Sequence, residues 1–199
     1  MTARIEQVSS DDVNAWIIGD DEEVIVIDPG RDPAEVLKAV GGREVLAVIC
    51  THGHPAQVAC ALEVAEPDEA PVALHPRDRN LWRDTFPEED AEIEMTEGGV
   101  FEVADVRLEV IHTPGHTPGS VSLYCEDLDA VFTGHAMMAS GPVPDEDDEF
   151  PDFAGQLTAI GEYLLTLPSS TRVLPGQGEE TTVAAAEKQF DSWVSAGPN

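Results

Sequence analysis

Four apolar runs in this chain stop abruptly at short loops carrying histidine, glycine or an amide. Val45 to Cys50 leads into Thr51-His52-Gly53-His54-Pro55-Ala56-Gln57. A second run ends at His112-Thr113-Pro114-Gly115-His116-Thr117-Pro118-Gly119, Ala130 to Phe132 ends at Thr133-Gly134-His135, and Arg172 to Leu174 ends at Pro175-Gly176-Gln177-Gly178. Short apolar runs bounded by turn residues read as buried strands. A buried strand that delivers His52 and His54 to one loop suits a metal ion, because neutral imidazoles are common ligands of zinc.

The rest of the chain alternates strand and helix signals. Arg4 to Val8, Val13 to Ile18 and Glu23 to Asp28 read as strands, as do Pro71 to Leu74, Gly99 to Val103, Val106 to His112 and Ser120 to Cys125. Helices are expected over Pro33 to Val40, with Asp32 as N-cap and Gly41-Gly42 as stop, and over Ala56 to Ala65, Pro76 to Asp84, Asp152 to Leu167 and Thr181 to Val194. Two mixed sheets with helices outside fit this order, an α/β (α+β) class. At 199 residues with 42% apolar content, one domain spanning 1-199 is the natural expectation.

In their order and spacing these motifs resemble the metallo-β-lactamase superfamily, most closely its small glyoxalase II-like hydrolases, with Val26-Ile27-Asp28-Pro29-Gly30 as the early aspartate turn. The resemblance runs from about Val13 to Trp193 and implies a four-layer αββα sandwich. It also implies that His52, His54 and His116 hold the first metal of the family's pair. The departures fall on the second. The family pattern H-x-H-x-D-H has Ala56 and Gln57 at its last two ligand positions, Gln177 replaces the final histidine, and His135 replaces the bridging aspartate.

Two zinc ions bring four positive charges, and neither family carboxylate is present to offset them, so the expected cofactor is one zinc ion on His52, His54 and His116. Three neutral imidazoles and a water make an open zinc site. His135 either completes the ligand set or stands beside it as a catalytic group that orients water or takes its proton. One iron ion is the alternative cofactor, since the superfamily's persulfide dioxygenases use a mononuclear site, although His135 replaces their carboxylate. No metal is the third possibility, with Ala56, Gln57 and Gln177 neutralising the pocket of an inactive binding module. The expected function is hydrolysis of a small ester, thioester or lactone.

His112 is expected to bond within its own Pro-Gly turn, His75 to be structural, and Asp28 to bind N–H groups of its own turn. Gln57 and Gln177 are expected to fill the vacated pocket with a neutral network. Cys50, Cys60 and Cys125 form no paired motif and read as apolar fillers, Cys60 being a spare ligand at most.

The net charge is −30, from 40 acidic and 10 basic residues, and it repels nucleic acid and anionic membranes. The expected partner is therefore a small-molecule substrate, with no nucleic acid and no membrane. Without a charged-then-apolar leader or a long apolar span, a cytoplasmic location is expected. Asp145 to Glu149 would overhang the site in this family and disfavour anionic substrates.

Overall fold

The computed structural model describes residues 2–10, 13–143 and 152–197. The first sheet contains β1 (Arg4–Ser10), β2 (Val13–Gly19), β3 (Glu23–Ile27), β4 (Glu44–Ile49), β5 (Val72–Leu74) and β6 (Ile93–Glu94) in that order, antiparallel as far as β3 and parallel beyond it. The second contains β7 (Val100–Val103), β8 (Val106–His112), β9 (Val121–Cys125), β10 (Ala130–Gly134), β11 (Arg172–Pro175) and β12 (Thr181–Thr182), again in chain order. Only the β10–β11 pair is parallel there.

Alternation along the strands builds the layers, because successive side chains leave opposite faces. On β2 and β3, Trp16, Ile18, Ile25 and Ile27 point inward and meet Leu108, Leu123, Phe132 and Leu174 of the other sheet. Their neighbours Ala15, Ile17, Val24 and Val26 point outward, against α1 (Pro33–Val40), α2 (Pro55–Val58), α3 (Ala61–Ala65) and α4 (Arg79–Thr85). On the far side, Val131 and Val173 pack against a π-helical turn, Ile160–Leu164, that continues α5 (Phe153–Ala159), and against α6 (Val183–Ala196). Three apolar clusters between four layers make the αββα sandwich. Each buried isoleucine or leucine contributes roughly 1.5–3 kcal/mol of transfer free energy.

The expected helix from Ala56 to Ala65 is two helices. The Cys60 N–H donates to the Gly30 carbonyl at 3.0 Å instead of continuing the ladder, and the Gly30 N–H donates to the Gln57 carbonyl at 3.0 Å. Docking on the Asp28 loop therefore outweighs helix continuity. The Cys60 thiol donates to the Pro29 carbonyl at 3.2 Å, and burial pushes it up to about 12, so it is engaged away from the histidines and poor as a ligand. Likewise, α4 starts at Arg79 after a 3₁₀ turn over Pro76–Asp78, and Thr181–Thr182 adds a strand before α6.

The two sheets are stitched together at one end. Val121 N–H donates to the Thr51 carbonyl at 2.9 Å, and Asn14 N–H donates to the Gly176 carbonyl at 2.9 Å. Trp16 Nε1–H reaches the Pro175 carbonyl at 3.1 Å. The loops that follow β3, β4, β10 and β11 meet there. Among the described residues no helix is long and apolar enough to cross a membrane. Asp145 to Glu149 lie outside the described residues.

Candidate metal centre

The parallel register that pairs Ile27 with Ile49 sets the loop after β3 beside the loop after β4. Asp28 thus reaches Thr51 rather than its own turn, which corrects the sequence expectation. Its carboxylate accepts from Thr51 N–H and Thr51 Oγ1–H, each at 2.7 Å. Burial pushes its carboxyl up to about 7, against the opposing pull of these two bonds. Because the Thr51 hydroxyl donates to Asp28, it accepts from the Nδ1 of His52 at 3.1 Å. The proton of His52 is therefore on Nδ1 and its lone pair on Nε2. That Nε2 is buried and has no hydrogen-bond partner among the described residues. Burial, then the nearby rings of His116, His135 and His54, hold this imidazole well below its usual range and so neutral.

His116 is prepared in the same way. Its Nδ1–H donates to the Val143 carbonyl at 2.9 Å, which leaves the lone pair on Nε2. The ligating nitrogens of His52, His54 and His116 lie within 4.8 Å of one another, and His54 Nδ1 is 3.2 Å from His116 Nε2. Imidazoles bound tetrahedrally to zinc at about 2.0–2.1 Å stand about 3.3–3.4 Å apart, so the His54–His116 pair already has that spacing and the triad could take one ion if its wider pairs close toward it. His135 joins from the flank. Its Nδ1 is also 3.2 Å from His116 Nε2, and its ring centre is 4.9 Å from that of His52. The four histidines singled out in the sequence thus occupy one cluster.

The substituted positions divide. Gln57 is buried with its amide nitrogen 3.2 Å from His135 Nε2, inside the cluster as expected. Gln177 is exposed instead, because it stands on the wall of a cavity of about 460 Å³ with Met138, Ala139, Val143 and Glu179. Val143 is shared between that cavity and the carbonyl contact to His116. His112 donates from Nε2 to the Pro118 carbonyl at 3.0 Å and stacks on His75, with ring centres 4.4 Å apart.

The roles of four supporting residues were not visible in the sequence. Thr51 relays Asp28 to His52, as described. Gln156, fully buried at the start of α5, donates from Nε2 to the carbonyls of His135 and Ala136, both at 3.0 Å. Gly115 lets that helix approach, since a Cβ there would stand 2.4 Å from Gln156 Cα. Asp78, also fully buried, binds both histidine loops. The signal for each is a contact distant in sequence, and no local motif announces it.

This fold recurs in known proteins. The sequence pattern of the metallo-beta-lactamase superfamily matches residues 9–177. The chain belongs to the metallo-beta-lactamase superfamily. Within the superfamily it is similar to the probable metallo-hydrolase YqgX of Bacillus subtilis, 33% identical over 190 residues that cover 88% of this chain and 90% of that one. The BLEG-1 B3 metallo-beta-lactamase superposes with a TM-score of 0.84 at 24% identity, over 96% of this chain and 99% of that structure. TTHA1623, solved in a di-iron-bound form, superposes with a TM-score of 0.78 at 27% identity, over 93% and 97% of the two chains. His52, His54 and His116, which the sequence resemblance puts on one metal, lie together in the structure, and the positions where it puts carboxylates carry Ala56 and His135.

Proposed function

We propose that this superfamily member is a hydrolase that uses one divalent ion, zinc, and acts on a small uncharged ester, thioester or lactone. The observation that carries the reading is the buried Nε2 of His52, without a hydrogen-bond partner among the described residues and within ligand reach of His54 and His116. An all-nitrogen donor set suits zinc better than cations that seek oxygen. His52, His54 and His116 would hold the ion, with Thr51 and the Val143 carbonyl keeping the protons of His52 and His116 on the far nitrogens. When bound, such an ion supplies Lewis-acid polarisation of a carbonyl and lowers the pKa of water toward about 7.

His135 stands at the flank of the triad, where its imidazole can take a proton from water and return it to the leaving group. Gln156 fixes the backbone beneath His135. The apolar wall of Met138, Ala139 and Val143 suits an acyl group. Glu179 on the same cavity and the net charge of −30 disfavour anionic substrates. A second reading, a binding module without catalysis, draws support from Gln57, whose amide rests against His135 where the superfamily pattern has a metal-binding histidine.

Elemental analysis of protein purified without an affinity tag tests the metal, and neutral and anionic aryl esters and thioesters test the chemistry. About one zinc per chain, absent from a His52→Ala, His116→Ala variant, together with turnover of neutral esters, is the expected result. Metal without turnover favours the binding module. Absence of metal from the wild type overturns the single-ion hydrolase.

A further inference from the structure

Asp78 sits at the N-cap position of α4, yet its side chain makes no capping bond to that helix. Its carboxylate is turned into the protein and is fully buried. Oδ2 accepts from Gly53 N–H at 2.9 Å and from Thr117 Oγ1–H at 2.7 Å, and Oδ1 accepts from Gly119 N–H at 2.6 Å. Gly53 lies between His52 and His54. Thr117 and Gly119 follow His116. One carboxylate therefore fastens the loop after β4 to the loop before β9, and all three of its partners are donors, the pattern that an ionised carboxylate requires.

Both glycines are shaped to this contact. A Cβ on Gly53 would stand 2.9 Å from the Asp78 carbonyl oxygen and from Leu81 Cβ, and a Cβ on Gly119 would stand 2.5 Å from Asp78 Oδ1. The glycines of the two motifs thus let each loop close on Asp78. His54 and His116, whose nitrogens lie 3.2 Å apart, hang from these two loops, with His52 preceding Gly53. Fixing the loops to one another fixes the ligand spacing. Burial pushes the Asp78 carboxyl up, while its bonds to Thr117, Gly53 and Gly119, and then the nearby His54, favour the charged form, in a site whose sequence has lost both carboxylates of the superfamily pattern.

We propose that Asp78 is the positioning residue of the metal centre, locking the two histidine loops into one ligand geometry and supplying an outer negative charge to the bound cation. This rests on the single-ion reading above. Outer groups that orient ligands typically govern metal affinity by about ten- to a hundred-fold.

The test compares wild type with Asp78→Asn, which keeps shape and removes charge, and with Asp68→Asn, a carboxylate bonded to Val45 N–H at the end of β4 opposite the histidine loop. Zinc affinity is measured by competition with a chromophoric chelator, ligand geometry by the visible spectrum of the cobalt-substituted protein, and loop order by hydrogen exchange in the metal-free protein. The expected result for Asp78→Asn is a ten- to hundred-fold loss of zinc affinity, an altered cobalt spectrum and faster exchange in both 51–54 and 113–120, with Asp68→Asn unchanged. Wild-type zinc affinity in Asp78→Asn, or loosening of one loop alone, overturns the proposal. If Asp78→Asn does not fold, Thr117→Val, which removes one bond, should give a smaller loss of the same kind, and wild-type affinity there overturns it. If the wild type binds no zinc, the single-ion function falls, and exchange in the metal-free proteins decides Asp78: joint loosening of the loops supports the lock, and no change overturns it.

Discussion

Thr51 is asked to do several things at once. Its amide and hydroxyl bind Asp28, its hydroxyl oxygen accepts a hydrogen bond from His52 Nδ1–H, and its carbonyl accepts from Val121 on the opposite sheet. Gly134 can only be glycine beside it: φ is 51°, and a Cβ would stand 2.2 Å from Thr51 Oγ1. Thr51→Val keeps the size and removes the hydroxyl, so His52 loses the acceptor that fixes its tautomer. Zinc affinity should fall about ten- to a hundred-fold, read by chelator competition, while the circular dichroism of the fold persists. Unchanged affinity would show that the relay does not orient His52. The histidines themselves were legible because they come in tight local motifs. Asp78 was not: in the sequence it is one acid in Arg77-Asp78-Arg79, and it follows its partner Gly53 by 25 positions and precedes its partner Gly119 by 41.

Elements were legible where local chemistry agreed with tertiary packing. For α1, the Asp32 side chain accepts from Glu35 N–H at 3.2 Å, and Gly41 takes a left-handed φ of 67° at the other end. The segment after His54 shows the opposite case. Its helical spacing is real, yet the Cys60 N–H is claimed by Gly30, so the helix breaks where a neighbouring loop offers a better-placed acceptor. The two-residue strands β6 and β12 carry no signal of their own and exist because a sheet edge lies beside them. The short helix α4 owes its place to Trp82, which is fully buried, donates from Nε1 to the Glu89 carbonyl at 2.8 Å and packs 4.5 Å from the Phe86 ring. Trp82→Ala should destabilise the protein by about 3–5 kcal/mol, measured by urea unfolding. Because Asp78 immediately precedes α4, the same change should lower zinc affinity. A variant that loses stability but binds zinc as tightly as the wild type would separate the helix from the site.

At the scale of the whole molecule, the three apolar clusters and the paired sheets were readable as a class from the order of strands and helices. The stitching by Asn14 and Trp16 to the Pro175 loop was not, since it joins residues 159 and 161 apart. Charge is the other property that belongs to the whole chain. Arg4, Lys38, Arg43, Arg79, Arg83, Arg107 and Arg172 already stand in ion pairs with acids. Most acids, 40 against 10 basic residues, must therefore face one another across water. Compaction brings these like charges closer than they are in the unfolded chain, so repulsion opposes folding at low ionic strength. Salt shortens the range of that repulsion, to about 8 Å near physiological strength and about 3 Å at 1 M. The few ion pairs are mostly exposed and contribute little, so their screening loses less than relief of the repulsion gains. The thermal midpoint should therefore climb steadily as sodium chloride is raised from low to molar concentration. Calorimetry at fixed pH, with the zinc load held constant, checks it. A midpoint that stays level or drops would mean that local pairing, rather than net repulsion, dominates the electrostatics of the fold.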